Sequence, residues 1–352
     1  MQWGMAITLS AMDPQQLSYG ADASGLICGY LFSPTSPGRV INTDEALLWL
    51  SQARERQQAS QEFLWLHFNL AHTATERWLH EHSDAPEEFY ESLHQGSRST
   101  RIEHADHHLI AVINDVLHDF SFDPADIATL WLSLNHQVMI SARRKPLKSV
   151  DHLRNAVNRG ELFHSPSELL THLLRDQADV LTSIVRDATS KIDEIEDHFL
   201  SERVGRKRAN LGELRRLMVR LQRLLAPEPA ALFRLLQKPP SWMAEPDVHD
   251  LRQSTEEFSV VLSDMASLQE RIKLLQEEIA AHVGEQNNRS LFVLTVVTVL
   301  VLPINIVSGL MGMNVGGVPL AQDPQGFWII VGLVAFITAL AAYLVWRGKD
   351  GQ

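Results

Sequence analysis

Apolar and polar positions change rhythm three times along this chain. Between about residues 20 and 165, short apolar runs alternate with stretches of helical spacing. Runs at 25–32, 63–70, 110–118, 127–134 and 137–142 are rich in Leu, Ile, Val, Phe and Trp. Turn signals such as Ser33-Pro34 and Asp123-Pro124 bound them, so each predicts a strand. Residues 43–58 predict a helix with Thr43 as its N-cap, and 73–81 and 86–94 predict two more. Interleaving of this kind predicts an α/β domain over residues 1–165.

From residue 166 the strand signal disappears. Val180, Ile184, Ala188, Ile192, Ile195 and Phe199 form a one-sided helical stripe. Leu214, Met218, Leu221 and Leu225 repeat it until Pro227 and Pro229 interrupt, so residues 166–246 predict long antiparallel helices. Phe258, Val261, Met265, Leu268, Ile272, Leu275 and Ile279 then alternate steps of three and four, a heptad seam. No proline separates Ile279 from Leu291, which predicts one continuous helix over 247–311, roughly 95–100 Å long. Its soluble part, 247–290, is a stalk, and its regular apolar seam is expected to pack around an axis shared with other copies.

The third rhythm is none at all. Residues 291–311 and 327–346 are uncharged apolar runs, each about long enough to span a bilayer. Residues 312–326 form a Gly-rich loop between them, and 347–352 form a tail. Arg289 precedes the first run and Arg347 and Lys349 follow the second, while the loop holds no Lys or Arg. The positive-inside rule puts both termini in the cytosol and the loop outside.

Composition sharpens this division. The chain has 43 acidic and 31 basic residues, net −12. After residue 290 the only charges are Asp323, Arg347, Lys349 and Asp350, which cancel, so the whole excess lies in residues 1–290. A soluble body that acidic argues against nucleic-acid binding and suits concentrating cations. The single Cys28 forms no intrachain disulfide, as a reducing cytosol requires. Residues 1–12 lack a basic start, so no signal peptide is expected.

The first apolar run is not an inert anchor. Thr295, Thr298, Asn305 and Ser308 lie within one broad face, and Pro303 removes a helix hydrogen bond. An amide in hydrocarbon needs partners and faces a bundle interior or water. Two spans enclose no aqueous path, so a pore requires several subunits.

These residues match a known pattern. Gly312-Met313-Asn314 at the outer end of the first span, Pro303 within it, and two C-terminal spans resemble the CorA superfamily of divalent-cation transporters. The continuation Val315-Gly316-Gly317-Val318-Pro319 resembles the ZntB zinc-transporter branch. The resemblance implies a funnel-shaped homopentamer in a bacterial-type inner membrane, with Zn2+ as the transported substrate and no cofactor. Its first span lines the pore and its Gly-Met-Asn tripeptide forms the outer mouth; a CorA-type Mg2+, Co2+ or Ni2+ channel is the alternative.

The chemistry of such a mouth follows from the residue types. Small divalent ions dehydrate reluctantly, so a ring of Asn314 amide oxygens with Gly312 and Met313 carbonyls can accept hydrogen bonds from the ion's water shell. A helix C-cap made by Gly and Asn is compatible with that role. Below it, Gly309, Asn305, Leu302, Thr298, Leu294 and Leu291 are expected to line the path, with the leucines as apolar constrictions or as interhelical packing. Asp323, the only ionisable residue of the outer loop, would form an electrostatic ring.

Zinc selectivity does not follow from coordination, because residues 291–346 contain neither Cys nor His. Neither span holds a titratable group, so proton coupling lacks an intramembrane relay. Histidines concentrate in the soluble part, where His104, His107 and His108 cluster as a candidate regulatory metal site or as ordinary surface histidines. Asp193, Glu194, Glu196 and Asp197 form either a cation-attracting patch or a solvated face. A membrane-anchored enzyme finds no support: phosphate-binding Gly loops, His-Glu-x-x-His and Gly-x-Ser-x-Gly are all missing. A two-span signalling or scaffold protein fits the coiled-coil pattern, but its outer loop is too short for a sensing domain.

Overall fold

The computed structural model describes residues 20–55, 62–95, 100–105, 107–200, 207–313, 319 and 323–349. The chain divides into two compact units, Met1–Leu274 and Leu275–Gln352.

The first unit is built on a seven-stranded mixed sheet. Its strands are β1 (Leu26–Ser33), β2 (Ser36–Ile41), β3 (Phe63–Asn69), β4 (Arg101–Ala105), β5 (His108–Val116), β6 (Ile127–Leu134) and β7 (Val138–Arg143). They lie in the order β2-β1-β3-β7-β6-β5-β4, and only β3 and β7 run parallel. Helices α1 (Thr43–Glu55), α2 (Thr75–His82) and α3 (Glu87–Gln95) cover one face. The other face is covered by α4 (Lys148–Asn158), α5 (Pro166–Leu200) and α7 (Pro227–Gln237), with α6 (Lys207–Leu225) between the last two in sequence.

Both faces being covered explains why the strands read as continuous apolar runs. Every residue of β5 is buried. Leu109, Ala111 and Ile113 enter the core under α4 and α5, while Ile110 and Val112 enter the core under α2 and α3. Leu169, Leu170, Leu173 and Leu174 of α5 and Leu232, Leu235 and Leu236 of α7 share the first of these cores with the sheet.

A buried polar chain crosses the parallel pair. Trp65 Nε1 donates to Ser141 Oγ at 2.8 Å, and Ser141 Oγ lies 2.8 Å from His67 Nδ1. Arg143 Nε donates to His67 Nε2 at 2.9 Å, so Nε2 is the acceptor and the proton sits on Nδ1. Burial, then the charges of Arg143 and Arg154, hold the His67 pKa well below the usual imidazole range.

Several expectations change. Helix α1 begins at Thr43, but Asn42 caps it: Glu45 N–H donates to Asn42 Oδ1 at 2.9 Å, while the Thr43 hydroxyl bonds Asp22. Strands β2 and β4 and helix α4 were not expected, and Pro227 opens α7 because its missing N–H costs nothing in a first turn.

The heptad seam is also corrected. Phe258, Met265, Leu268 and Ile272 are all buried within the first unit, so this part of the seam does not wait for other copies around an axis. It belongs to α8 (Glu245–Met311), one helix of 67 residues. Within the first unit, Gln269 Nε2 donates to the Met218 carbonyl of α6 at 2.9 Å. Arg271 pairs with Asp193 at 2.6 Å and, through Nε at 3.1 Å, with Glu196 of α5. Arg271 therefore pairs with two of the four acids in the α5 patch and offsets one of their two charges. Helix α9 (Gly326–Lys349) completes the second unit.

Candidate functional site

The second unit contains two helices apolar and long enough to cross a membrane, the C-terminal part of α8 and Gly326–Tyr343 of α9. None of the apolar stretch of α8 is buried. Leu291, Leu294 and Leu302 are 60%, 62% and 53% exposed, a surface that only lipid or further copies can cover.

Helical geometry groups the expected lining. At 100° per residue, Leu291, Leu294, Thr298, Leu302, Asn305 and Gly309 fall within a sector of roughly 80°. All six lie on the one continuous helix, and Asn305 and Gly309 are exposed. Nothing lies within 4 Å of where a Gly309 Cβ would stand.

The threonines have a defined orientation. Thr298 Oγ1 donates to the Leu294 carbonyl at 2.8 Å, and Thr295 Oγ1 donates to that of Leu291 at 2.8 Å. With its proton committed to the helix, the Thr298 oxygen offers only lone pairs. That polarity suits the outward-pointing hydrogens of water bound to a cation and opposes a hydrated anion. Pro303 sits inside α8 and leaves the Val299 carbonyl without its helical donor, a further acceptor in the residue next to Thr298.

At the outer end, Gly312 N–H donates to the Ser308 carbonyl at 2.9 Å. A Cβ on Gly312 would stand 3.1 Å from that same carbonyl oxygen, so a larger residue presses on the closing turn. Met313 is 52% exposed. Asn314 lies outside the described residues. Asp323 prepares the return helix: its Oδ1 accepts from Gln325 N–H at 2.9 Å and its carbonyl from Gly326 N–H at 3.0 Å. This turn-forming role is written in the sequence as Asp-Pro ahead of an apolar run.

Among the described residues the three histidines do not converge. His104 is exposed on β4, His107 is exposed in the turn, and His108 is buried with Nε2 3.0 Å from Asn135 Nδ2. Among the described residues no three His, Cys, Asp or Glu side chains converge to hold a metal ion. Strand pairing is the reason, since it sets His104 opposite Leu109 and His108 opposite Ala105.

Comparison with known proteins agrees with this architecture. The family described as CorA-like Mg2+ transporter protein matches residues 60–347, which include both apolar helices. The divalent cation transporter CmaX of Pseudomonas aeruginosa is 29% identical over 88% of this chain and 91% of its own. The zinc transport protein ZntB of Yersinia pseudotuberculosis is 22% identical over 81% of this chain and 87% of its own. The solved structure of full-length CmaX superposes with a TM-score of 0.78 at 26% identity, covering 94% of this chain and 99% of that one. A match that runs from the sheet through both apolar helices is a match of the whole architecture, and this chain belongs to the CorA-like family.

Proposed function

We propose that this protein carries divalent cations, Zn2+ foremost, across a bacterial-type inner membrane through a central pore shared by five copies. Both termini lie in the cytosol; the resemblance to the ZntB branch brings proton-coupled uptake into the reading, and since neither span holds a titratable group the coupling group lies outside them. The observation that carries this reading is the family match over residues 60–347, continuous through both apolar helices. The acceptor-only face of α8 supports passage of a hydrated cation. Thr298 presents lone pairs to the ion's water, the freed Val299 carbonyl adds an acceptor on the adjoining face, and Asn314 follows the helix in sequence. The Gly316-Gly317 continuation and the relatives named as zinc transport proteins support Zn2+.

A second reading, a Mg2+, Co2+ or Ni2+ channel, is favoured by the complete absence of Cys and His from residues 291–346. Uptake into liposomes holding this protein alone separates the two. Zn2+, Ni2+, Co2+ and Mg2+ are supplied in turn, with and without an inward proton gradient. Zn2+ uptake that leads the series and rises with the gradient is expected. Mg2+ uptake at an equal or greater rate, indifferent to the gradient, gives the second reading, and no uptake of any ion refutes both.

A further inference from the structure

Beneath α7 two carboxyl groups are sealed inside the first unit. Glu228, in the first turn of α7, is 0% exposed, and Asp115, near the end of β5, is 3% exposed. Asp115 is well held: Oδ1 accepts from Val116 N–H at 2.7 Å and Oδ2 from Ser149 N–H at 3.0 Å, at the start of α4. Glu228 is not. Its Oε2 takes a long hydrogen bond, 3.4 Å, from Gln177 Nε2 of α5, and that nitrogen also donates to the Asn114 carbonyl at 2.7 Å. Oε1 of Glu228 and Oε1 of Gln177 are both buried with no hydrogen-bond partner among the described residues.

Among the described residues the only charge acting on Glu228 is Asp115, which itself feels Asp176 of α5. Strand β4, packed on α7, keeps Arg101 and Glu103 paired with each other at 2.7 Å, and α4 and α6 lend Glu228 no charge. An ionised carboxylate with one long hydrogen bond in such a place is strongly disfavoured, whereas a proton removes the charge and turns a bare oxygen into a donor.

We propose that Glu228 and Asp115 form a buried proton-binding site, in which one proton held on Glu228 locks the start of α7 against β5 and α5, and its loss at alkaline pH loosens α7. Burial, then the Asp115 charge, drives Glu228 well above the usual carboxyl range, and burial raises Asp115 to about 6. The pair therefore holds a proton to higher pH than two ordinary carboxyls would. The sign follows from linkage: a carboxyl whose folded pKa is raised contributes full stability below its unfolded value and loses it as pH rises toward the folded value. Loosening of α7 acts on the segment that leads directly into α8.

Infrared difference spectra of the full-length protein in lipid nanodiscs, titrated with base, test this site directly. The C=O stretch of a protonated carboxylic acid is expected near neutral pH, absent in Glu228→Gln. Amide hydrogen exchange in α7 should exceed that of Glu228→Gln by a factor that grows up to about tenfold per pH unit as pH rises toward the midpoint of band loss and levels off above it. Asp115→Asn, which keeps an acceptor for Ser149 N–H, should shift loss of the band to lower pH, and it carries the test alone if Glu228→Gln does not fold. A band unchanged in Glu228→Gln, an unshifted midpoint in Asp115→Asn, or α7 exchange that follows one pH profile in both proteins overturns the proposal. So does α7 protection that grows with added Na+ or Mg2+ without an acid band, which makes the occupant a metal cation.

Discussion

Replacing Asp323 separates the turn hydrogen bond that the structure shows from the cation attraction proposed for its charge. Its Oδ1 accepts the Gln325 N–H at 2.9 Å, and it is the only ionisable residue in the sequence 312–326. Asp323→Asn keeps the acceptor and removes only the charge. Asp323→Ala removes both and costs a further hydrogen bond, about 1 kcal/mol of turn stability. For a divalent ion ~8 Å from a carboxylate in water, Coulomb's law with screening raises local concentration about fourfold at ~0.01 M ionic strength and about twofold at ~0.15 M. A ring of symmetry copies compounds both factors. Initial uptake rates in proteoliposomes, measured across a salt series, should show Asp323→Asn raising KM by at least these factors, with the gap closing as salt increases. The maximal rate should stay near that of the unmodified protein, because a charge outside the narrow path affects arrival more than passage. A salt-independent fall in maximal rate refutes electrostatic attraction, and loss of the response to a pH gradient makes Asp323 a proton carrier instead.

Three further outcomes follow from the same geometry. Thr298→Val removes the oxygen and should slow uptake by roughly two- to tenfold, while Thr298→Ser, which keeps it, should transport nearly normally. Leu268→Asp or Ile272→Asp places an unpaired charge in a buried seam and should unfold the protomer, seen as lost protease resistance of the cytosolic part and not as clean dissociation into folded monomers. His67, held neutral by burial and by Arg143, has a depressed folded pKa. The stability it contributes is complete above about pH 6.5 and is lost as pH falls, so melting temperatures between about pH 7.5 and pH 5 should drop more steeply for the native protein than for His67→Gln.

The elements legible in sequence are those whose neighbours demand one residue type. Strands β1, β3, β5, β6 and β7 occupy the interior of the sheet, covered on both faces, and their apolar runs announce them. The two unexpected strands, β2 and β4, are its two edges. Edge strands face water and tolerate Pro37 and Gly38 in one and Arg101, Glu103 and His104 in the other, so no apolar run marks them. Gly38 is itself required by packing: a Cβ there would lie 2.6 Å from the Phe32 ring. The seam from Phe258 to Ile279 was visible as a period of three and four, but period alone does not say who covers it. Gln269 and Arg271, which interleave with the seam, bond to α6 and α5 at positions 51 to 78 residues away in the chain, beyond the reach of any local pattern. In the membrane part, the two spans, Pro303 and the Gly-Met-Asn tripeptide were readable because hydrocarbon imposes length and composition. The Asp-Pro at 323–324 signals a turn and helical threonines can bond back to their own helix, but the particular hydrogen bonds of Thr298 and Asp323 depend on side-chain rotamer and became visible only in three dimensions.

The central claim is that divalent cations pass through a mouth built at Gly312, Met313 and Asn314. It is tested most directly by purifying the native protein and Asn314→Ala, confirming that both assemble alike by native mass spectrometry, and reconstituting each alone into liposomes loaded with a divalent-ion indicator. Saturable entry of Zn2+ or Mg2+ with the native protein, abolished or severely reduced by Asn314→Ala in an intact assembly, is the expected result. Entry through Asn314→Ala at the native rate, or native liposomes no more permeable than empty ones, contradicts it.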